Sequence, residues 1–560
     1  MTSKRDYLGN VADLANERFC YARLCVDRGR IARIEPLGDG PRAGVPYVVP
    51  GFVDAHIHIE STLLTPEHFA AEAVRHGVVA VVADPHEIVN VMGEEGLRFM
   101  VRNGRRARFH FRFAVPSCVP CSPFEENGAS FDARQVERWM KRDEVCALAE
   151  MMNFAGVLSG DATVGAKLAA ARAAGKPVDG HAPGLRGAQA RAYVEAGIST
   201  DHECTTLDEA EERIALGMKV LVREGSAARN LDDLLPLLDR HRTMLMFCSD
   251  DKDPDELREG YIDDMVRRAV RRGAPLWNVL RAACATPVEH YRLPCGLLRV
   301  GDSADFALLD DLQHLRVQAT VVGGVPVFGT PDAGGSPTVL PALSRAANPL
   351  PMANINHFHA SHTQPSQLEV PAATGRNLKV IGVRDRALYT TALHLPPRLA
   401  DGVVACDTER DVLKLVVRNR YRPEAAPQVA FVHGFGLQRG ALAASVAHDS
   451  HNLIAVGCDD RSLARVLDAL VDSRGGLSLC DGRAVHTLPL PVAGLMSDLD
   501  ADRVGASLRW LKQAVRRLGC PLEAPFMTLS FLALPVIPQL KLTDKGLFDS
   551  SQFAFTTLWD

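Results

Sequence analysis

The sequence predicts an α/β chain centred on a (β/α)8 barrel of TIM type, with a small β-sandwich-like domain and a C-terminal α/β domain attached. Three observations predict it. From Tyr47 to about Tyr291 an apolar strand-like run, a polar turn and a helix-period stretch recur eight times, and about 250 residues is the usual size of such a barrel. Six of the eight runs end on His, Asp or Glu, at the strand ends where barrels gather their catalytic groups. No glycine-rich phosphate loop follows the first strand, whereas an open doubly wound sheet often carries one there.

Taken in order, residues 1–49 read as short strands, among them Leu24-Cys-Val-Asp-Arg-Gly-Arg-Ile-Ala-Arg-Ile34, where Gly29 supplies the turn. Gly301-Asp-Ser-Ala-Asp-Phe-Ala-Leu-Leu309 and Ala319-Thr-Val-Val-Gly-Gly-Val-Pro-Val-Phe328 read the same way. Residues 1–49 and 295–330 are therefore expected to pair into one small β domain. The barrel is assigned to 50–294, with strands ending at His58, Pro85, Ser117, Glu150, His181, His202, Glu224 and Asp250, and helices such as TPEHFAAEAVRHG and DARQVERWMKRD between them. Residues 331–371 hold seven prolines and little periodicity, so they read as a linker. His357, His359 and His362 lie inside it and read as solvated. Residues 372–560 alternate strand-like runs such as Gln428-Val-Ala-Phe-Val432 with a helical pattern at Ser462-Leu-Ala-Arg-Val-Leu-Asp-Ala-Leu-Val471, the pattern of a separate α/β domain.

Composition narrows the class of function. The chain has 560 residues, 47% hydrophobic and 23% charged, in the balance of a globular enzyme. A net charge of -5 without long single-sign runs argues against a nucleic-acid partner. No apolar stretch has the length of a membrane helix, and MTSKRDYLGN lacks the apolar core of a signal peptide. The 13 cysteines are scattered singly, which suits reduced thiols and a cytoplasmic setting. Barrels with accessory domains often associate, so a homo-oligomer is expected.

The chemistry starts at Asp54-Ala-His56-Ile-His58-Ile-Glu60. Residues two apart on a strand share a face, so Asp54, His56, His58 and Glu60 would line one edge. A His-x-His pair alone has little specificity. Here Glu150, His181, His202 and Asp250 close four other strands at the same level. Four imidazoles and two carboxylates can hold two divalent ions with a carboxylate between them, and such donors suit manganese or iron, with zinc also acceptable. His86 and Glu87 end the second strand and could hold substrate, a water or a further metal, or else stabilise a turn. Arg223 and Glu224 could form a structural ion pair or read a substrate edge, and Asp251 has the same two readings. His448, Asp449 and His451 sit between two strand-like runs, either as a cap over the barrel mouth or as a hydrogen-bonded turn.

On these residues the sequence resembles the amidohydrolase superfamily and, within it, the bacterial adenine deaminases, over nearly the whole chain. The runs that carry the resemblance are Pro50-Gly-Phe-Val-Asp-Ala-His-Ile-His-Ile-Glu-Ser61, Val82-Ala-Asp-Pro-His-Glu-Ile88, Pro116-Ser-Cys-Val-Pro120, Glu150-Met-Met-Asn153, Asp179-Gly-His-Ala-Pro183, Arg223-Glu-Gly-Ser226 and Ser249-Asp-Asp251. Ser445-Val-Ala-His-Asp-Ser-His-Asn452 and Leu534-Pro-Val-Ile-Pro-Gln-Leu-Lys-Leu-Thr-Asp-Lys-Gly546 add to it. The resemblance implies His56, His58, Glu150, His181, His202 and Asp250 as ligands, with Glu150 where many relatives carry a carboxylated lysine. It also implies adenine as substrate and hypoxanthine and ammonia as products, through a metal-activated hydroxide attacking C6 of the purine. Asp250 would act as general base and then acid, and Glu203, with a raised pKa, would donate to the ring nitrogen.

Two departures from the family pattern, Gln438 where lysine is usual and Thr62 after Glu60-Ser61, leave room for altered oligomer contacts or for another substrate, such as another amino-purine, a pyrimidine or a cyclic amide. A degenerate, non-catalytic barrel is a third reading, opposed by the intact ligand set. His58-Ile-Glu60 and Cys118-Val-Pro-Cys121 superficially match the zinc nucleobase deaminases, but Ser117 stands where that motif needs proline.

Overall fold

The computed structural model describes residues 4–330, 336–346 and 355–560. Eight strands run parallel in chain order: Phe52–Ile57, Val78–Ala83, His110–Val115, Val145–Met151, Val178–Gly180, Thr200–Asp201, Lys219–Arg223 and Leu245–Cys248. The first five pair in sequence and so do the last three. Backbone bonds join the two sets, with Ser199 N–H donating to Val178 O at 2.9 Å. The ring closes where Asp250 N–H donates to His56 O at 3.0 Å and His58 N–H donates to Asp250 O at 3.3 Å. The second strand, Val-Val-Ala-Val-Val-Ala, is buried at every position, as a parallel strand covered on both faces must be.

Seven of the eight strands stop one or two residues before the end read from the sequence; only the fourth runs past Glu150, to Met151. The polar residues at those ends stand just beyond the ladder. Standing at the strand ends, their side chains can converge over the barrel mouth.

Both flanks of the barrel meet in one eight-stranded sheet. Tyr47–Pro50 lies between Arg5–Asp13, to which it is parallel, and Phe306–Leu309, to which it is antiparallel. The C-terminal part forms a second eight-stranded sheet, in which Leu378–Gly382 and Gln428–His433 run parallel and the other pairs antiparallel. Helix Asp460–Ser473 is capped by Asp459, which accepts from Ser462 N–H, and buries Leu463, Val466, Leu467 and Leu470. That spacing is one face of a helix laid on a sheet.

Of the Pro-rich stretch, residues 331–335 and 347–354 lie outside the described residues. Its later part packs on the C-terminal sheet through Phe358, Ala360 and Leu368. His359 and His362 are exposed, and His362 pairs with Asp472 at 2.9 Å. Charged side chains lock the C-terminal part onto the barrel. The Lys512 ammonium meets Asp253 at 2.6 Å and Asp255 at 2.8 Å, and Asn419 donates to Glu126 at 3.0 Å. No helix among the described residues is long and apolar enough to cross a membrane.

Candidate active site

The barrel mouth brings together all six of the expected ligand residues, each 8% exposed or less. His58 donates Nδ1–H to Asp84 O at 3.0 Å. That bond turns Nε2 inward, where it lies 3.3 Å from Glu150 Oε1 and 3.1 Å from Asp250 Oδ1. Glu150 points its other oxygen at His181 Nδ1, 2.7 Å away, and at His202 Nε2, 3.3 Å away. The two Glu150 oxygens therefore face two different sets of imidazoles. His56 stacks on His202 with ring centroids 4.4 Å apart.

Burial works to raise the Glu150 pKa, but the imidazoles of His181, His202 and His58 hold its carboxyl well below the ordinary value. Burial likewise opposes the charge on Asp250, and Arg223, then His56 and His58, outweigh it. Both carboxylates are thus ionised where a cation would need them.

The donor set fits two divalent ions. His56 Nε2 is buried without a hydrogen-bond partner, 3.6 Å from Asp250 Oδ1 and 4.0 Å from Glu150 Oε1. The sets His56, His58, Asp250 and His56, Glu150, His202 each place one donor per residue within 4.8 Å of the others. An orphaned imidazole nitrogen facing ionised carboxylates suits a cation better than it suits a packed core.

Two members of the first strand's edge do other work. Asp54 accepts from Ser249 N–H at 3.1 Å and Tyr261 O–H at 2.6 Å, one layer below the histidines. Glu60 leaves the strand in a turn and accepts from Ile88 N–H at 3.2 Å, and burial pushes its pKa up to about 7. Thr62 Oγ1 donates to Ile59 O at 2.6 Å and closes that turn.

Glu203 corrects an expectation. Burial pushes its pKa up, but Arg223, then His181 and His202, bring it below the ordinary value. It is a carboxylate here, and Arg223 Nη1 bonds both to it and to Asp250 Oδ2, the latter at 2.7 Å. A neutral, proton-donating Glu203 does not match this arrangement. Glu224 is the second correction. Neighbours on a strand point to opposite sides, so while Arg223 faces the mouth, Glu224 pairs with Arg268 of the outer helix Ile262–Arg271. The two neighbours do not pair with each other, and Glu224 lies away from the cavity.

A second histidine–carboxylate cluster sits beside the first. His86 lies 3.1 Å from Asp84 and 3.7 Å from Glu150. Glu87 accepts from His448 Nδ1 at 2.7 Å through one oxygen and from His451 Nε2 through the other. The His448–His451 loop therefore reaches the barrel mouth, where His448 and Asp449 line the cavity. Glu87, His448 and His451 have converging donors; each Glu87 oxygen holds an imidazole, and His448 Nε2 is left buried without a partner. Asp251 lines the cavity and accepts from Ser61 Oγ.

Sequence reasoning missed the cavity's apolar wall. Met152 comes from the barrel, and Leu388, Phe531, Leu534 and Ile537 come from the C-terminal part. Nothing in an isolated Leu or Ile announces such a role. The only signal was the run Leu534-Pro-Val-Ile-Pro.

Comparison with known proteins agrees with this architecture. Residues 47–327 match the model of the amidohydrolase family, and residues 387–554 match that of the adenine deaminase C-terminal domain. The chain is 49% identical over 548 residues to an adenine deaminase of Salinibacter ruber, covering 98% of this chain and 97% of that one. It is 44% identical over 563 residues to one of Methanosarcina acetivorans, covering 99% of each. A third, from Borreliella burgdorferi, is 38% identical over 98% of both chains. The chain belongs to the adenine deaminase family of amidohydrolases.

Proposed function

We propose that this chain hydrolyses adenine to hypoxanthine and ammonia, with His56, His58, Glu150, His181, His202 and Asp250 holding two divalent ions, manganese or iron, with zinc acceptable to the same donors. The observation that carries it is Glu150, whose two oxygens face separate imidazole sets, His58 on one side and His181 with His202 on the other. The full-length relatives support the choice of adenine among the bases. Bound there, the ions would supply the positive charge that makes a water acidic enough to yield hydroxide near neutral pH.

The chain's own groups would do the rest. Asp250, anchored through Oδ2 by Arg223 at 2.7 Å, keeps Oδ1 turned toward the centre, where it would take the water's proton and pass it to the leaving amine. Glu203, ionised and fixed by the same guanidinium, would accept a hydrogen bond from an N–H at the edge of the purine and so orient the ring. His86, Asp251 and His448 surround the ring. Glu87 and His451 would hold the loop that carries His448. On the sheet pairing, we also take 1–49 with 295–330, 50–294, 331–371 and 372–560 as the division of the chain. The thirteen cysteines are all free, in keeping with a reducing, cytoplasmic setting.

The test is ammonia release from adenine, guanine, cytosine and adenosine by purified metal-loaded protein, with metal analysis alongside. Release from adenine with two ions per chain is expected. Release only from another base would overturn the substrate, and fewer than two ions at full activity would overturn the ligand set.

A further inference from the structure

A flat aromatic substrate needs an apolar surface against its face as well as polar groups at its edge. The barrel offers little such surface. Around the cavity its residues are almost all histidines and acids, with Met152 the apolar exception. The remaining apolar lining comes from two distant stretches of the C-terminal part, Leu388 in one and Phe531, Leu534 and Ile537 in the other. These four belong to a small hydrophobic cluster separate from the main core, so core packing alone does not set their height above the metal ligands.

What joins the two stretches is Lys541. Its side chain is fully buried, and Nζ donates to Leu388 O at 2.9 Å and to Phe531 O at 3.0 Å. Burial alone lowers its pKa, to about 7, with no opposing carboxylate. An unpaired buried ammonium is costly, and the same volume could be filled by a methionine. Around it Thr390 N–H donates to Pro538 O at 3.0 Å, and Thr390 Oγ1 donates to Leu540 O at 2.8 Å. The two stretches are thus stitched to each other, and they present two apolar side chains side by side. Phe531 also stacks on His448, with centroids 4.3 Å apart. The cavity they line measures about 30 Å³, room for about two waters at roughly 10–15 Å³ each, so these side chains and the ligand residues face each other across a narrow space.

We propose that Leu388 and Phe531 form an apolar ceiling that packs on the face of the substrate ring, and that Lys541 is the positioning residue that holds the two stretches at one height. The proposal rests on the reading of the site as an adenine hydrolase. Lys541 touches no reacting atom and acts through the two carbonyls it bridges.

The test uses the metal-loaded full-length protein and three variants, K541M, K541Q and L388A. K541M, which removes the bridging donors, should raise KM for adenine about ten-fold with kcat within about two-fold, the pattern of lost uniform binding. It should also speed amide hydrogen exchange in residues 384–392 and 530–541 of the substrate-free protein while leaving metal content unchanged. K541Q keeps N–H donors without charge and should bring KM back toward the wild type. L388A should raise KM by a similar factor, and it decides the question if K541M does not fold. KM within two-fold of wild type in L388A, unchanged exchange in K541M, or a K541Q as impaired as K541M would overturn the proposal. Failure of the wild type to release ammonia from adenine would sink the functional reading alone, because the exchange measurement needs no turnover.

Discussion

The two histidine–carboxylate clusters at the barrel mouth use the same side chains and are built in different ways. In the inner one, six residues come from strand ends of one closed barrel, and the ring of backbone hydrogen bonds holds them at a common height. In the outer one, Glu87 comes from the barrel while His448 and His451 come from the C-terminal part, so it exists only while the two are docked. Each cluster leaves one buried imidazole nitrogen without a partner, His56 Nε2 in the inner one and His448 Nε2 in the outer, but Glu150 and Asp250 both face that of His56, whereas Glu87 ties the outer cluster by holding one imidazole on each oxygen. The difference teaches that the same donors make a candidate ion site when two carboxylates and several imidazoles converge on one point, and a clasp when one carboxylate bridges two segments.

Breaking the inner cluster should have the largest effect. Asp250→Asn removes the proposed proton carrier and should lower kcat by roughly 10³-fold, within the usual range for a general base, while metal analysis still finds most of the metal. Activity near the wild-type level would refute the role given to Asp250.

The outer cluster should respond in stability first. Glu87→Gln strips the negative charge from two buried imidazoles, and loss of one partner of a buried pair costs roughly 3–5 kcal/mol, readable by denaturant unfolding. The pH dependence gives a sharper version. His448 has its pKa raised to about 9 from 6.5, because Glu87 and then Asp251 outweigh the burial that would lower it. A raised pKa means the folded state holds the proton more tightly. Its stabilisation is fully present below pH 6.5 and is lost as pH rises through about 9. Wild-type stability should fall across that window more steeply than that of Glu87→Gln, and parallel curves would contradict the clasp.

The smallest effect is expected at Glu224, which faces Arg268 on the outside of the barrel. Glu224 is buried while Arg268 keeps a second partner in Asp232, so Glu224→Gln should cost about 1–3 kcal/mol, the usual cost of an under-satisfied buried group, and leave kcat/KM for adenine within about two-fold. A large loss of activity with stability intact would return Glu224 to the substrate site.

Legibility followed the same divide. Asp54, His56 and His58 were placed on one edge by a two-residue period, and the histidines do converge. The period could not tell that Asp54 would be used up by Ser249 and Tyr261 one layer down. Arg223 and Glu224 were ambiguous as neighbours until the strand's alternation sent one in and one out. Glu203 was expected to carry a proton. Its charge state depends on a guanidinium that sits 20 residues away in the sequence and bonds to it directly in the fold.

By itself the sequence determined the barrel and which residues stand at its strand ends, because strand periodicity and strand-end chemistry are local and repeat eight times, and its motif runs gave the family. Only the tertiary structure decided which carboxylates are ionised, which already hold partners, and that Leu388 and Phe531, tied together by Lys541, line the mouth from the C-terminal part. The physical reason is that burial and partnership set both charge state and apolar contact, and neither exists until distant segments meet.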